Sequence, residues 1–343
     1  MIRVKPFKNV TGIIKVRDKV IKICLIGLLF FLVLENSLMA ENRAIFVWSK
    51  DYKASLGRRH IFPVIKYQKL YYAAVKEGIL KEEDVVEPQP LKDEDLLLVH
   101  TKLYLWKLRL LALTPLGMLH GENPVSREIL KAVKLACGGT YLACKLALEE
   151  KIAMNLSGGF HHAFANREEG FCYYNDVALA IKKLQKENKI DKVMVIDCDV
   201  HQGNGTAKIF QDDESVFIFD IYQEDNYPIP KIKVDYPISL NSHEIITDER
   251  YLKELTVLPN LIDKFKPELI IYLAGADPYK EDLLGGFRLT KEGLKKRDEY
   301  IIGLAKENQI PICILLAGGY AQNTENTVQI HLNTIRIVKD YIH

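Results

Sequence analysis

The stretch Val193–Thr206, VMVIDCDVHQGNGT, starts as an apolar strand and ends in two carboxylates and an imidazole. Asp197, Asp199 and His201 stand at every second position, and alternate side chains of an extended chain leave the same face. Two carboxylates crowded beside an imidazole repel each other and lose hydration. One reading is the polar end of a parallel strand, where Asp and Asn serve the turn. A phosphate loop fits poorly, because G-x-x-x-x-G-K-[ST] is missing and carboxylates repel phosphate. A third reading is a divalent cation, which hard carboxylate oxygens and a borderline imidazole suit.

Asp199 and His201 together with Asp277 would supply three ligands and leave a position for water. This is the open arrangement in which a metal lowers the pKa of bound water toward ~7. His161 and His162 would point to opposite faces of a strand, but in a loop both can face one cavity as tandem general base and acid. Asp197 then remains to orient a histidine and fix its tautomer. Tyr320 follows two glycines, where it is either an aromatic plug on a turn or a hydroxyl offered to a developing oxyanion. Together these parts specify metal-assisted hydrolysis of an amide or ester.

The elements that must position them alternate. Apolar, β-branched runs recur at Ala44–Trp48, Lys151–Leu156, Val193–Asp197, Val216–Phe219, Leu269–Ala274 and Ile312–Ala317. Helical patterns fall at Ile129–Glu150, Tyr174–Glu187, Tyr251–Phe265 and Lys291–Asn308. Continuously apolar strands alternating with helices predict an α/β fold, a parallel sheet covered on both faces. In such sheets ligands bind at the carboxyl ends of strands. Four of these ends carry Gly together with His, Asp or Tyr: SGGFHHAFANREEGFCYYND, the opening motif, AGADPYKEDLLGG and AGGY.

The chain has 343 residues, 48% hydrophobic and 27% charged, within the range of globular proteins. Its net charge of +2 hides an asymmetry: residues 1–40 hold seven Lys/Arg and two Asp/Glu, so the rest carries 40 basic against 43 acidic, net −3. That body has no footprint for nucleic acid. Beyond Cys24 there are five cysteines, an odd number without C-x-x-C spacing, which read as buried small hydrophobes rather than a disulfide framework. No repeat or linker appears after residue 41, so residues 41–343 read as one domain.

Residues 1–40 read as a separate leader. A basic stretch precedes the apolar run Ile23–Leu34, which is shorter than the about 20 residues a membrane span takes but suits a signal-peptide core. Cleavage after Ala40, retention as an anchor, or translation from Met39 with no leader are the alternatives. Export or anchoring and a cytoplasmic location stand side by side, with membrane contact only through the leader if it is retained.

The motifs GGFHHAF…EGFCYYNDVALAI, VIDCDVHQGNGT, AGADPYKEDLLGG and AGGY together resemble the histone deacetylase superfamily. EDLLLVHT, CGGT, HQGNG, DIYQEDNYP and GGFRLTKEGLKKRDEY are most similar to its class IV branch and the bacterial relatives of that branch. The resemblance runs from Arg58 to the C-terminus. It implies the arginase/deacetylase fold, a single three-layer α/β/α domain around a parallel sheet of about eight strands.

Carried onto this chain, the resemblance makes Asp199, His201 and Asp277 ligands of one Zn2+ per chain. His161 and His162 become the acid/base pair with Asp197 behind His161, and Tyr320 polarises the acyl carbonyl. Gly170 and Phe171 line one wall of an acyl-lysine channel, with Tyr227 opposite and Leu284 near its mouth or floor. A structural monovalent cation such as K+ is implied beside Asp197. Asn204 departs from most of the superfamily, which has an Asp supporting the second histidine; the class IV pattern also has Asn. Asp220 departs near the monovalent site.

The function expected is zinc-dependent hydrolysis of acyl-lysine in proteins or peptides, with the class IV likeness implying long acyl groups. The alternatives are an amidohydrolase of small acetylated amines such as acetylpolyamines, for which Glu122 is the candidate acidic gatekeeper, and a non-catalytic acyl-lysine binding module.

Overall fold

Each apolar run becomes a strand of one sheet. In the computed structural model, which describes residues 44–57, 60–241 and 243–342, the strands are β1 (Phe46–Val47), β2 (Val85–Val86), β3 (Ile152–Asn155), β4 (Val193–Asp197), β5 (Val216–Gln223), β6 (Tyr236–Leu240), β7 (Leu269–Leu273) and β8 (Ile312–Leu315). Their order is β2-β1-β3-β8-β7-β4-β5-β6, and every neighbouring pair is parallel. Every residue of β3, β8, β7 and β4 is buried. Strands covered on both faces leave no position for a solvent-facing polar residue, which is why their sequences are continuously apolar.

The helices begin where short polar side chains accept the first free N–H groups. Ser126 caps Arg127–Glu150, Asn175 caps Asp176–Lys186 and Thr290 caps Lys291–Glu307. They surround the sheet as the outer layers of a three-layer α/β/α arrangement. The described residues belong to one unit that starts at Ala44.

Three local outcomes differ from the sequence reading. β5 runs on to Gln223, because Asp220–Gln223 pair with Pro237–Leu240 of β6. β6 itself is an edge strand with alternating burial and a proline, a pattern unlike the central runs. The helix expected over Tyr251–Phe265 is broken: Asp248–Glu254 passes through a 3₁₀ turn, Leu255–Val257, before Leu258–Phe265, whose first turn holds Pro259. The helices Lys66–Lys76, Lys102–Leu111 and Thr324–Ile342 add to those read from sequence.

Cys137, Cys144, Cys172, Cys198 and Cys313 are free and buried. Among the described residues no helix is long and apolar enough to cross a membrane. The expected leader, residues 1–40 with Cys24, lies outside the described residues.

Candidate active site

Four strands that are consecutive across the sheet, β3-β8-β7-β4, end in the four polar clusters. β3 leads to His161 and His162, β4 to Asp199 and His201, β7 to Asp277, and β8 to Tyr320. Parallel strands deliver all four carboxyl ends to one edge, so residues up to 159 positions apart in the chain meet there without any long excursion.

At the floor, one ligand atom from each of Asp199, His201 and Asp277 lies within 4.8 Å of the others, and all three residues are buried. The Nδ1 of His201 faces Asp199 Oδ1 at 3.0 Å and Asp277 Oδ2 at 3.2 Å. Backbone donors occupy the outer oxygens: Gly318 N–H donates to Asp199 Oδ2 at 2.7 Å, and Val200 N–H donates to Asp277 Oδ1 at 3.0 Å. Gly318 is there because a Cβ would meet Asp277 Oδ2 at 2.0 Å and Asp199 Oδ2 at 2.5 Å. The buried Arg297 holds the backbone behind both carboxylates, donating from Nη1 to the Gly275 carbonyl at 2.7 Å.

This triad calls for positive charge at its centre. Burial and the neighbouring Asp199 charge push Asp277 up to about 7. Burial opposes a charged His201, but hydrogen bonds and charges from Asp199 and Asp277 outweigh it and push the imidazole up to about 10. Two hard oxygens and one imidazole nitrogen, pre-aligned by backbone donors and gathered around one point, fit a divalent cation with an open coordination position.

Above the floor, the two histidines sit in the turn after β3 with their Nε2 atoms 3.1 Å apart. His161 Nδ1 lies 2.7 Å from Asp197 Oδ2, and His162 Nδ1 lies 2.8 Å from Asn204 Oδ1. Burial lowers an imidazolium, yet at His161 the charges of Asp197 and Asp199 and the bond to Asp197 prevail and push the pKa up to about 9. At His162 burial and the neighbouring His161 and His201 win, and its pKa falls well below the usual histidine value. The turn is held by Asp176, which accepts from Phe160 N–H at 2.6 Å and Gly159 N–H at 3.0 Å.

The triad opens through a pocket of about 200 Å³ whose lining includes His162, Gly170, Phe171, Tyr227, Leu284 and Tyr320. Gly170 and Phe171 both adopt left-handed backbone, at φ of 54° and 66°. A Cβ at Gly170 would meet His162 Cδ2 at 2.3 Å, so only glycine lets this wall close on the imidazole. The rings of Phe171 and Tyr320 meet edge to face at 6.0 Å. Burial, then the charges of Asp199 and Asp277, push the Tyr320 phenol well above its usual range, so its hydroxyl keeps its proton.

The twelve residues given a catalytic, metal or channel role in the sequence meet at this one edge. The structure adds three that sequence reasoning passed over. Asp282 ties Tyr320 N–H, at 2.6 Å, to the Leu284 and Gly285 N–H groups of the opposite wall. Glu169 accepts from Asn204 Nδ2 at 2.6 Å. Arg297, inside the quoted GLKKRDEY motif, carried no sign of its backbone contacts. Glu122 does reach the pocket, accepting from Gly170 N–H at 3.1 Å. Asp220, opposite Asp197 in the β4–β5 register, accepts from Gly203 N–H at 3.0 Å through Oδ2, while its buried Oδ1 has no hydrogen-bond partner.

Comparison with known proteins matches residues 60–335 to the histone deacetylase domain. The chain is 35% identical over 295 residues to an uncharacterized Picosynechococcus protein, covering 86% of this chain and 98% of that one. It is 33% identical over 301 residues to histone deacetylase 2 of Arabidopsis thaliana, covering 84% and 77%. Acetoin utilization protein AcuC of Bacillus subtilis is 28% identical over 263 residues, covering 70% and 68%. A domain match over most of the chain, on a sheet whose central strand ends converge on that site, makes this chain a member of the histone deacetylase family and a hydrolase of the deacetylase type.

Proposed function

We propose that the protein is a zinc-dependent hydrolase of acyl-lysine in peptides or proteins. The observation that carries this reading is the pair of histidines with different partners, set directly above the Asp199–His201–Asp277 triad at the floor of a narrow, aromatic-walled pocket. Asp199, His201 and Asp277 would hold Zn2+, which when bound polarises the acyl carbonyl and acidifies water. Neutral His162, with its Nδ1–H on Asn204, presents a lone pair at Nε2 and takes a proton from the attacking water. His161, held protonated by Asp197, carries the proton that the leaving lysine amine needs. Tyr320 donates its hydroxyl to the oxygen on which negative charge develops. Phe171 and Tyr227 flank the lysine stem and keep bulk water away from these transfers.

The pocket volume lies below the 300–1,000 Å³ of sites for drug-sized ligands, as a narrow linear side chain requires. A preference for long acyl groups needs more apolar space. The cavity behind Phe171, lined by Leu56, Phe62, Val133 and Phe160 among others, is the natural extension, but at about 40 Å³ a fatty chain has to widen it. A monovalent cation beside Asp197 is supported by the unpartnered Oδ1 of Asp220.

A second reading, hydrolysis of acetylated polyamines, is favoured by the Glu122 carboxylate in the pocket wall. Incubating the zinc-loaded chain with acetyl-, octanoyl- and myristoyl-lysine peptides and with acetylspermidine separates these. Peptide turnover at least as efficient as acetylspermidine turnover is expected. Efficient use of acetylspermidine alone would replace the lysine reading, and a kcat/KM for acetyl above that for myristoyl would remove the long-chain preference.

A further inference from the structure

The two faces of the Asn204 amide are both engaged. Its Oδ1 faces His162 Nδ1 at 2.8 Å, and its Nδ2 donates to Glu169 Oε1 at 2.6 Å. Asn204 is buried, whereas the Glu169 side chain keeps 21% exposure and its second oxygen takes Arg167 Nε at 2.8 Å. Arg167 in turn lies over the Phe164 ring at 3.4 Å. Glu169 is itself fixed by the turn around Gly170 and Phe171, where its N–H and carbonyl pair with Cys172 at 3.1 and 2.9 Å. The wall of the pocket and the partner of the base are thereby one connected piece.

An amide can face an imidazole in two ways with opposite chemical results. With Oδ1 toward Nδ1, the imidazole carries its proton on Nδ1 and exposes a lone pair at Nε2. Turned over, Nδ2 would donate to Nδ1, the proton would sit on Nε2, and His162 would present no base to the pocket. A carboxylate accepts hydrogen bonds and donates none, so Glu169 admits only the first orientation. We propose that Glu169 is a positioning residue for the reaction: it locks the Asn204 amide and thereby the tautomer of His162.

This rests on His162 being the base, and the test separates the two claims. kcat and KM are measured on an acetyl-lysine peptide with the zinc-loaded full chain and with Glu169→Ala, Glu169→Gln, Asn204→Asp and the double variant Asn204→Asp/Glu169→Ala. A charge-assisted hydrogen bond lost from a partly buried site predicts a fall in kcat on the order of tenfold for Glu169→Ala, with KM and zinc content little changed. Glu169→Gln keeps an acceptor and recovers most of that loss. With Asp at 204 the amide is gone and Glu169 faces a second carboxylate, so removing it costs nothing or raises kcat. An equal factor for Glu169→Ala in both backgrounds, including no effect in either, overturns the proposal. Should Glu169→Ala fold poorly, Glu169→Met serves as the acceptor-free variant. The ¹⁵N spectrum of His162 reads the tautomer without turnover: loss of the Nδ1–H form in Glu169→Ala, and its retention in Glu169→Gln, are expected even if the peptide proves to be no substrate. Retention of that form in Glu169→Ala contradicts the proposal.

Discussion

Behind His161 stands a carboxylate, Asp197, at 2.7 Å; behind its neighbour His162 stands an amide, Asn204, at 2.8 Å. The rings otherwise share a turn, a depth of burial and a mutual contact at 3.1 Å between Nε2 atoms. The partners decide which ring holds the extra proton. A full charge at Asp197 holds the proton on His161, pushed up to about 9, while burial and the adjacent cation keep His162 neutral. Burial weakens both imidazolium ions; the difference in function comes from one atom in the supporting side chain, an oxygen in Asp197 and a nitrogen in Asn204.

Loss of a metal held beneath both rings has the largest expected effect. Asp199→Ala, His201→Ala and Asp277→Ala should each abolish tight zinc binding and turnover, checked by metal analysis of the purified variants. Full zinc occupancy in two of the three contradicts the ligand assignment. His162→Ala should lower kcat by about 10²–10⁴, the range for a positioned acid or base, with zinc retained. Tyr320→Phe should keep zinc and fold and lose roughly 10²–10³ in turnover, as for one oxyanion donor. Unchanged turnover would leave the phenol as a wall residue only.

Smaller, directional effects sharpen the contrast between the two rings. His161 acts as an acid only while protonated, so activity falls as pH rises through its pKa. Asp197→Asn removes the charge that raises that pKa, and the basic limb of kcat/KM should move to lower pH. Asn204→Asp does the reverse at the other ring: a carboxylate within ~4–6 Å favours imidazolium, and protonated His162 is no base, so the acid limb moves to higher pH. Glu169 already accepts from that position at 2.6 Å, and it should strain the new carboxylate. An unmoved acid limb would mean that another group controls it.

How far the sequence reaches follows the range of the contacts. β4 was read at its observed bounds, Val193–Asp197, because a fully buried strand writes itself as a continuous apolar run. The convergence of four loops was legible because parallel topology sends every strand's carboxyl end to one edge. β2 escaped because two valines are too short a run to stand out, and β6 because an edge strand need not be continuously apolar. Glu169, Asp282 and Arg297 escaped for another reason: each acts through a hydrogen bond set by the path of a loop or a helix packed from afar, which no spacing in the chain records. Glu168 and Glu169 look alike in sequence, yet Glu168 turns to Lys107 and His120, accepting from Lys107 Nζ at 2.8 Å, while Glu169 reaches Asn204.

The unequal sharing of one proton is the central claim, and nitrogen-15 NMR of the histidine side chains of the zinc-loaded chain tests it most directly. Nine histidines are assigned by single substitution, and the two rings are followed from pH 5 to 10. At neutral pH His161 should carry protons on both nitrogens and keep them to higher pH than its neighbour, while His162 is neutral with its proton on Nδ1. A doubly protonated His162 beside a neutral His161 at pH 7, or two rings titrating together near the ordinary histidine value, would contradict it.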